Sequence, residues 1–195
     1  MPAKNIIKSY LANGYYHIYN RGVNKRTIFK DDQDYKVILN FLKSYLSPPP
    51  NPQTLKKSFT LKGYSFKGIP PQPKNYHQRI SLLAYCLMPN HFHLLIQQTD
   101  ANSIEKFMRS LATRYVIYFN KRYRRLGPLF QDTYKATLVD GEAYLLYLTG
   151  YIHRNPQEIW HQSLSDYPYS SYADYLGLRS TPWFKPSEIL AFFRS

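Results

Sequence analysis

His91 and His93 stand one residue apart in LMPNHFHLLI (residues 87–96), a run that otherwise reads as buried β-strand. Residues i and i+2 of a strand share a face, so both imidazoles project to one side while Phe92 points to the other. Two imidazoles aimed at one spot can share a metal ion, although a structural or surface pair has the same spacing. Further along, Tyr151 and Asn155 are four residues apart in a predicted helix and therefore lie one turn from each other on one face. Asn155 can add an oxygen ligand to the two imidazoles, and Tyr151 offers a phenolic nucleophile nearby.

That combination suits a phosphodiester. A metal held by two histidines and one carbonyl oxygen keeps positions open for substrate, which phosphate oxygens can fill. The negative charge of a phosphodiester repels nucleophiles, and a divalent cation withdraws that charge while orienting the group. A tyrosine phenolate is scarce at neutral pH unless a cation or base helps it form. Its attack on DNA would join protein to one strand end and free the other, conserving the bond for a later hydroxyl to rejoin. Tyr115 and Tyr118, which precede Asn120 on a basic helix, offer a rival arrangement. His17, His153 and His161 read as hydrogen-bonded or solvated side chains with no catalytic role.

The elements that must position these groups follow from the pattern of the chain. Its 195 residues suffice for one domain with a real core, and 44% hydrophobic residues with 20 tyrosines exclude a wholly disordered chain. YYHIYN (15–20) alternates like a strand. Asp31, Asp32 and Asp34 introduce a helix carrying Tyr35, Ile38, Leu39, Leu42 and Leu46, which should stop at Ser47 before PPPNP. RISLLAYCLM and HFHLLIQ read as strands joined by the turn Pro89-Asn90. Ile104, Phe107, Leu111, Tyr115 and Tyr118 mark an amphipathic helix over 103–120. TYKATLV (133–139) alternates again, and GEAYLLYLTGYIHRNP reads as a helix closed by Asn155-Pro156. The order strand, helix, strand, strand, helix, strand, helix implies an α+β fold: an antiparallel sheet covered on one face by helices.

Charge narrows the partner. The formal net charge of +14, from 26 Lys and Arg against 12 Asp and Glu, attracts polyanions, nucleic acid before anionic membrane. The alternative is a basic protein kept soluble by its charge. Lys121, Arg122, Arg124 and Arg125, with Arg114 upstream, are positioned to meet phosphates, and Arg21 beside the first strand can contact DNA or stabilise a turn. Residues 48–78 hold seven of the 14 prolines together with Lys56, Lys57, Lys62, Lys67 and Lys74, which predicts a long cationic loop, inert or DNA-contacting. No segment approaches the roughly 20 apolar residues that span a bilayer, and MPAKNIIKSYLANGYYHIYN lacks the apolar core of a signal peptide. The expectation is a cytoplasmic protein without membrane attachment. Cys86, the sole cysteine, is read as a core residue of a protein in a reducing compartment.

YHIYNRGVNKRTIF, AYCLMPNHFHLLI, SLATRYVIYFNKRYRRLGPLFQDTYKATLVD and YLLYLTGYIHRNP together resemble the IS200-like single-tyrosine transposases, most closely the branch associated with repetitive extragenic palindromes (REP). The segments occur in the family's order over most of residues 15–156, and YPYSSYADYLG resembles its downstream tail. The resemblance implies a ferredoxin-like or RNA-recognition-like antiparallel sheet with helices packed on it, within a single domain over 1–195 that carries an insertion at about 48–78 and an aromatic tail at about 157–195. His91 and His93 match the histidine-hydrophobic-histidine motif that binds Mg²⁺ or Mn²⁺. Tyr151 matches the nucleophile, and Asn155 takes the place of the third, amide-bearing ligand, where related enzymes carry glutamine. It further implies cleavage and strand transfer of single-stranded DNA at a hairpin through a 5′-phosphotyrosine, by a monomer or a homodimer that can exchange the catalytic helix. The alternatives are a hairpin-binding protein that no longer cuts and a metal-dependent hydrolase that uses water.

Overall fold

The computed structural model describes residues 10–193. Residues 1–9, part of the stretch read as lacking a leader, lie outside the described residues. Strand β1 (Tyr15–Arg21) is followed by helix α1 (Asp32–Leu46), whose N-cap Asp31 accepts from the Asp34 amide and whose end at Ser47 meets the proline run. Strands β2 (Lys57–Leu61) and β3 (Tyr64–Gly68) pair with each other as a separate ribbon. Then come β4 (Ile80–Met88), β5 (His91–Gln98), α2 (Ser103–Arg122), β6 (Lys135–Leu138) and α3 (Glu142–Arg154). The main sheet runs β4-β5-β1-β6 with every neighbour antiparallel, the split βαβ arrangement of ferredoxin-like folds.

Both faces of this sheet are covered, not one. Tyr16 and Ile18 of β1 and Phe92, Leu94 and Ile96 of β5 pack with α1 and α2, whereas Leu95, Cys86 and Ala84 pack with Leu145, Leu148 and Ile152 of α3. The reason is visible in β4, whose ISLLAYCLM is almost continuously apolar, as a strand buried on both sides must be. A register shift between Leu82 and Ala84 adds to this, because it lets Leu83 and Ala84 both join the α3 side. The antiparallel pairing of β1 with β5 places Tyr19 opposite His93 and Arg21 opposite His91. Opposed residues share a face, so His17, Tyr19, Arg21, His91 and His93 all stand on the side that α3 covers.

The predicted loop 48–78 contains regular structure. A short 3-10 turn over Pro52–Leu55 leads into the β2–β3 ribbon, which turns at Lys62 (φ 51°) and Gly63 (φ 83°). Two successive left-handed residues match the twist of the flanking strands, and glycine takes the second at no steric cost.

On the opposite face, Asp34 ties α1 to α2. Its fully buried carboxylate accepts from the Tyr118 and Tyr123 hydroxyls, the Lys30 amide and Arg122, whose Nη1 lies 2.6 Å away. Asp34→Ala is therefore expected to lower unfolding free energy by roughly 3–5 kcal/mol in urea denaturation, because it leaves two hydroxyls and an amide without their acceptor and Arg122 with Asp31 alone of its two carboxylates.

Candidate active site

The strand period and the helix period bring the four sequence-predicted groups together within one chain. His91 and His93 project from β5, their ring centroids 5.0 Å apart. Tyr151, from the third turn of α3, lays its ring edge-on to His93 at 5.7 Å and to His17 at 6.3 Å. Leu145, Leu148 and Ile152 anchor the helix on the sheet, which leaves Tyr151 half-exposed beside the histidines. Asn155 caps α3, and its Oδ1 lies 3.5 Å from His91 Nε2.

Hydrogen bonds fix how these groups are turned. Asn155 Nδ2 donates to the Tyr151 carbonyl at 2.9 Å, so Oδ1 is the atom aimed at His91. His91 Nδ1 donates to Asn90 Oδ1 at 2.6 Å, while Asn90 Nδ2 donates to the Lys25 carbonyl at 3.4 Å. A neutral imidazole carries one proton, so His91 Nε2 presents a lone pair. Two acceptors, His91 Nε2 and Asn155 Oδ1, thus face each other across a gap that a cation would bridge favourably. Burial holds His93 down to about 3, assisted by His17 and His91, and holds His17 down to about 4. Burial also lowers His91, opposed by the neighbouring Asn155 Oδ1, an oxygen that favours the protonated ring. Near pH 7 all three imidazoles are neutral, the form that can ligate a metal.

Sequence reasoning passed over two contributors. His17 sits on β1, diagonal to His93, and its Nε2 shares a proton with His93 Nδ1 across 2.8 Å. Asn90, read only as a turn residue, orients His91. The identity of Asn90 beside HFH could have signalled its role; the contact of His17 depends on strand pairing across 76 residues and had no local signal. Among the described residues, no group of three or more His, Cys, Asp or Glu side chains could hold a metal ion. A metal here would rest on His91, His93 and the Asn155 amide oxygen, a donor set that suits Mg²⁺ poorly and Mn²⁺ better because imidazole prefers transition metals.

The predicted DNA-contacting cations divide into two groups. Arg21 ends β1 opposite His91, its Nε donating to Gln131, and lines a groove of about 490 Å³ together with His91, Lys25 and Lys135. Lys121 and Arg124 are exposed at the end of α2, while Arg125 donates to Asn120 Oδ1 at 2.9 Å and is lowered by its surroundings and by nearby Arg26. Arg114 and Arg122 are used internally. Arg114 lies 4.0 Å over the Phe41 ring between α1 and α2, and Arg122 forks onto Asp31 and Asp34. The rival tyrosines are also internal. Tyr115 is fully buried and donates to the Ile28 carbonyl, and Tyr118 donates to Asp34. His153 is buried and shares a hydrogen bond with Ser171 Oγ, a structural use.

The stretch that contains β4, the histidine pair, α2, β6 and α3 is the part that comparison identifies. Residues 72–155 match the family described as transposase IS200 like. The match spans His91, His93, Tyr151 and Asn155, and ends short of β1 and the β2–β3 ribbon. The resemblance to IS200-like transposases read from the sequence therefore stands. The fold is shared with a REP-associated tyrosine transposase solved bound to a REP hairpin, at a TM-score of 0.59 and 14% identity over 91% of this chain and 89% of that one. A candidate transposase from Deinococcus radiodurans R1 overlays at a TM-score of 0.40 and 16% identity over 79% of this chain and 97% of that one. No curated protein matches the chain. Among the described residues, no helix is long and apolar enough to cross a membrane.

Proposed function

We propose that the protein cleaves single-stranded DNA beside a hairpin and transfers the strand, with Tyr151 as nucleophile and His91, His93 and Asn155 as ligands of a divalent metal. The observation that carries this reading is the convergence of Tyr151 on the histidine pair within one chain, with His91 Nε2 and Asn155 Oδ1 facing each other at 3.5 Å. The family match and the net charge of +14 support DNA as the substrate. A bound metal would draw charge from the scissile phosphate and help orient it. The Tyr151 oxygen attacks phosphorus as its proton passes to water; an O–P bond forms, the P–O3′ bond breaks, and the departing 3′ oxygen is protonated. In the reverse sense, a 3′-hydroxyl attacks the phosphotyrosine and Tyr151 recovers its proton. Arg21, Lys25 and Lys135 line the groove beside His91 and would hold the flanking phosphates.

The test is incubation of the protein with an end-labelled hairpin oligonucleotide carrying single-stranded flanks and Mn²⁺. A denaturation-resistant protein–DNA adduct and a free 3′-hydroxyl end are expected. Salt-sensitive binding with no cleavage under any divalent metal would instead indicate a protein that only grips the hairpin, and cleavage without an adduct would indicate water as nucleophile.

On this reading His17 acts through His93, accepting from Nδ1 so that Nε2 is left to the metal. His17→Ala is expected to weaken Mn²⁺ affinity about 10–100-fold in titration calorimetry, with His17→Gln recovering part of it. Equal Mn²⁺ affinity in wild type and His17→Ala would remove this role.

A further inference from the structure

The β2–β3 ribbon has two unlike sides. Opposed pairs share a face, so Phe59 with Phe66 and Leu61 with Tyr64 form one side, while Ser58 with Lys67 and Thr60 with Ser65 form the other. On the apolar side the Phe59 and Phe66 rings stack at 5.6 Å and 23°. Gly68 makes room for this: a Cβ there would lie 3.3 Å from the Phe59 ring. Yet the face is open, with Tyr64 81%, Leu61 65% and Phe66 52% exposed, and neither core cluster takes in a residue of the ribbon. A two-stranded ribbon gains little stability alone in water, and an aromatic face left open on it is the kind of surface that receives a partner.

The charge around that face selects the partner. Lys57 stands on the aromatic side, Lys62 in the turn and Lys67 on the polar side, with Lys56 and Lys74 flanking, and no Asp or Glu occurs between Tyr35 and Thr99. Flat rings bordered by lysines, without any carboxylate, fit a ligand that combines π-faces with a chain of negative charge, which is single-stranded DNA. Resting on the DNA-processing reading above, we propose that the β2–β3 ribbon is a second DNA contact, in which Phe59, Tyr64 and Phe66 stack on unpaired bases while Lys57, Lys62 and Lys67 meet the phosphates.

The test uses the full chain. Binding of fluorescein-labelled oligothymidine is followed by anisotropy for wild type and for Tyr64→Ala/Phe66→Ala, with cleavage of the hairpin substrate at saturating DNA as the control. A loss of affinity of roughly tenfold, with cleavage at saturation unchanged, is the expected result. A Tyr64→Trp protein reads stacking directly: its added fluorescence should be quenched by oligothymidine and not by heparin, a polyanion without bases. Unchanged affinity in the double variant, or equal quenching by heparin, would overturn the stacking role. So would a wild-type dimer, seen by sedimentation, that the double variant dissociates, since the occupant would then be a second copy. If the wild type neither binds nor cleaves DNA, the function proposed above fails with it. If wild type binds and cleaves while the double variant binds equally well, only the ribbon inference fails.

Discussion

Tyr151→Phe is expected to abolish the covalent protein–DNA adduct and to lower strand cleavage by on the order of 10⁴-fold or more, while hairpin affinity stays within about twofold. The substitution removes one oxygen and keeps the ring. That ring meets His93 and His17 only at its edge and is 41% exposed, so neither the core beneath α3 nor the fold should respond. Tyr147 and Tyr144 lie one and two turns earlier on the same helix and line the pocket of His17 and His93 with Tyr151, but stand one and two turns further from Asn155. Tyr115 and Tyr118, the rivals that the sequence allowed, sit on the far side of the sheet, with their hydroxyls held by the Ile28 carbonyl and by Asp34. Tyr115→Phe should therefore cut like wild type, with whatever it loses appearing in stability. The comparison of these two Phe variants separates a nucleophile from a buried tyrosine.

The second large effect concerns the metal. His91→Ala and His93→Ala are each expected to reduce Mn²⁺ affinity by on the order of 100-fold or more and to eliminate adduct formation, because each removes one of only two imidazole donors. The two variants should differ in other respects. His93 is buried, 6% exposed, between His17 and Tyr151, so its removal also opens a cavity and leaves the His17 Nε2 without its partner. Part of its effect should appear as lowered thermal stability. His91 is nearer the surface, with Nδ1 bonded to Asn90 and Nε2 facing Asn155 Oδ1 across the gap. Its loss should leave stability almost intact while abolishing metal binding, which makes His91→Ala the cleaner probe.

Much of this site was readable in the sequence because its parts are local. The two-residue spacing of His91 and His93 and the four-residue spacing of Tyr151 and Asn155 are fixed by strand and helix geometry, which the flanking apolar patterns announce. What escaped depends on pairing between distant segments. His17 belongs to the site because β1 lies beside β5 in a register that puts Tyr19 opposite His93, and nothing near residue 17 specifies that register. The covering of both sheet faces was obscured in the same way: the helix patterns show which stripe is apolar, not which side of the sheet receives it. The run KRYRRLG looked uniformly available for phosphate, yet Arg122 is bound by Asp31 and Asp34 from another helix while Lys121 and Arg124 face solvent. In the ribbon, prolines on either side and lysines within it masked the alternation of Phe59, Leu61, Tyr64 and Phe66 that makes two strands.

Peptide mapping of the DNA adduct tests the central claim most directly. After reaction with hairpin DNA and Mn²⁺, nuclease trimming and proteolysis, mass spectrometry should find a nucleotide phosphate on the peptide containing Tyr151, and that species should be missing when Mn²⁺ is withheld or His91 is replaced by Ala. A nucleotide carried by any other residue, or strand cleavage at the wild-type rate by Tyr151→Phe, would contradict the account.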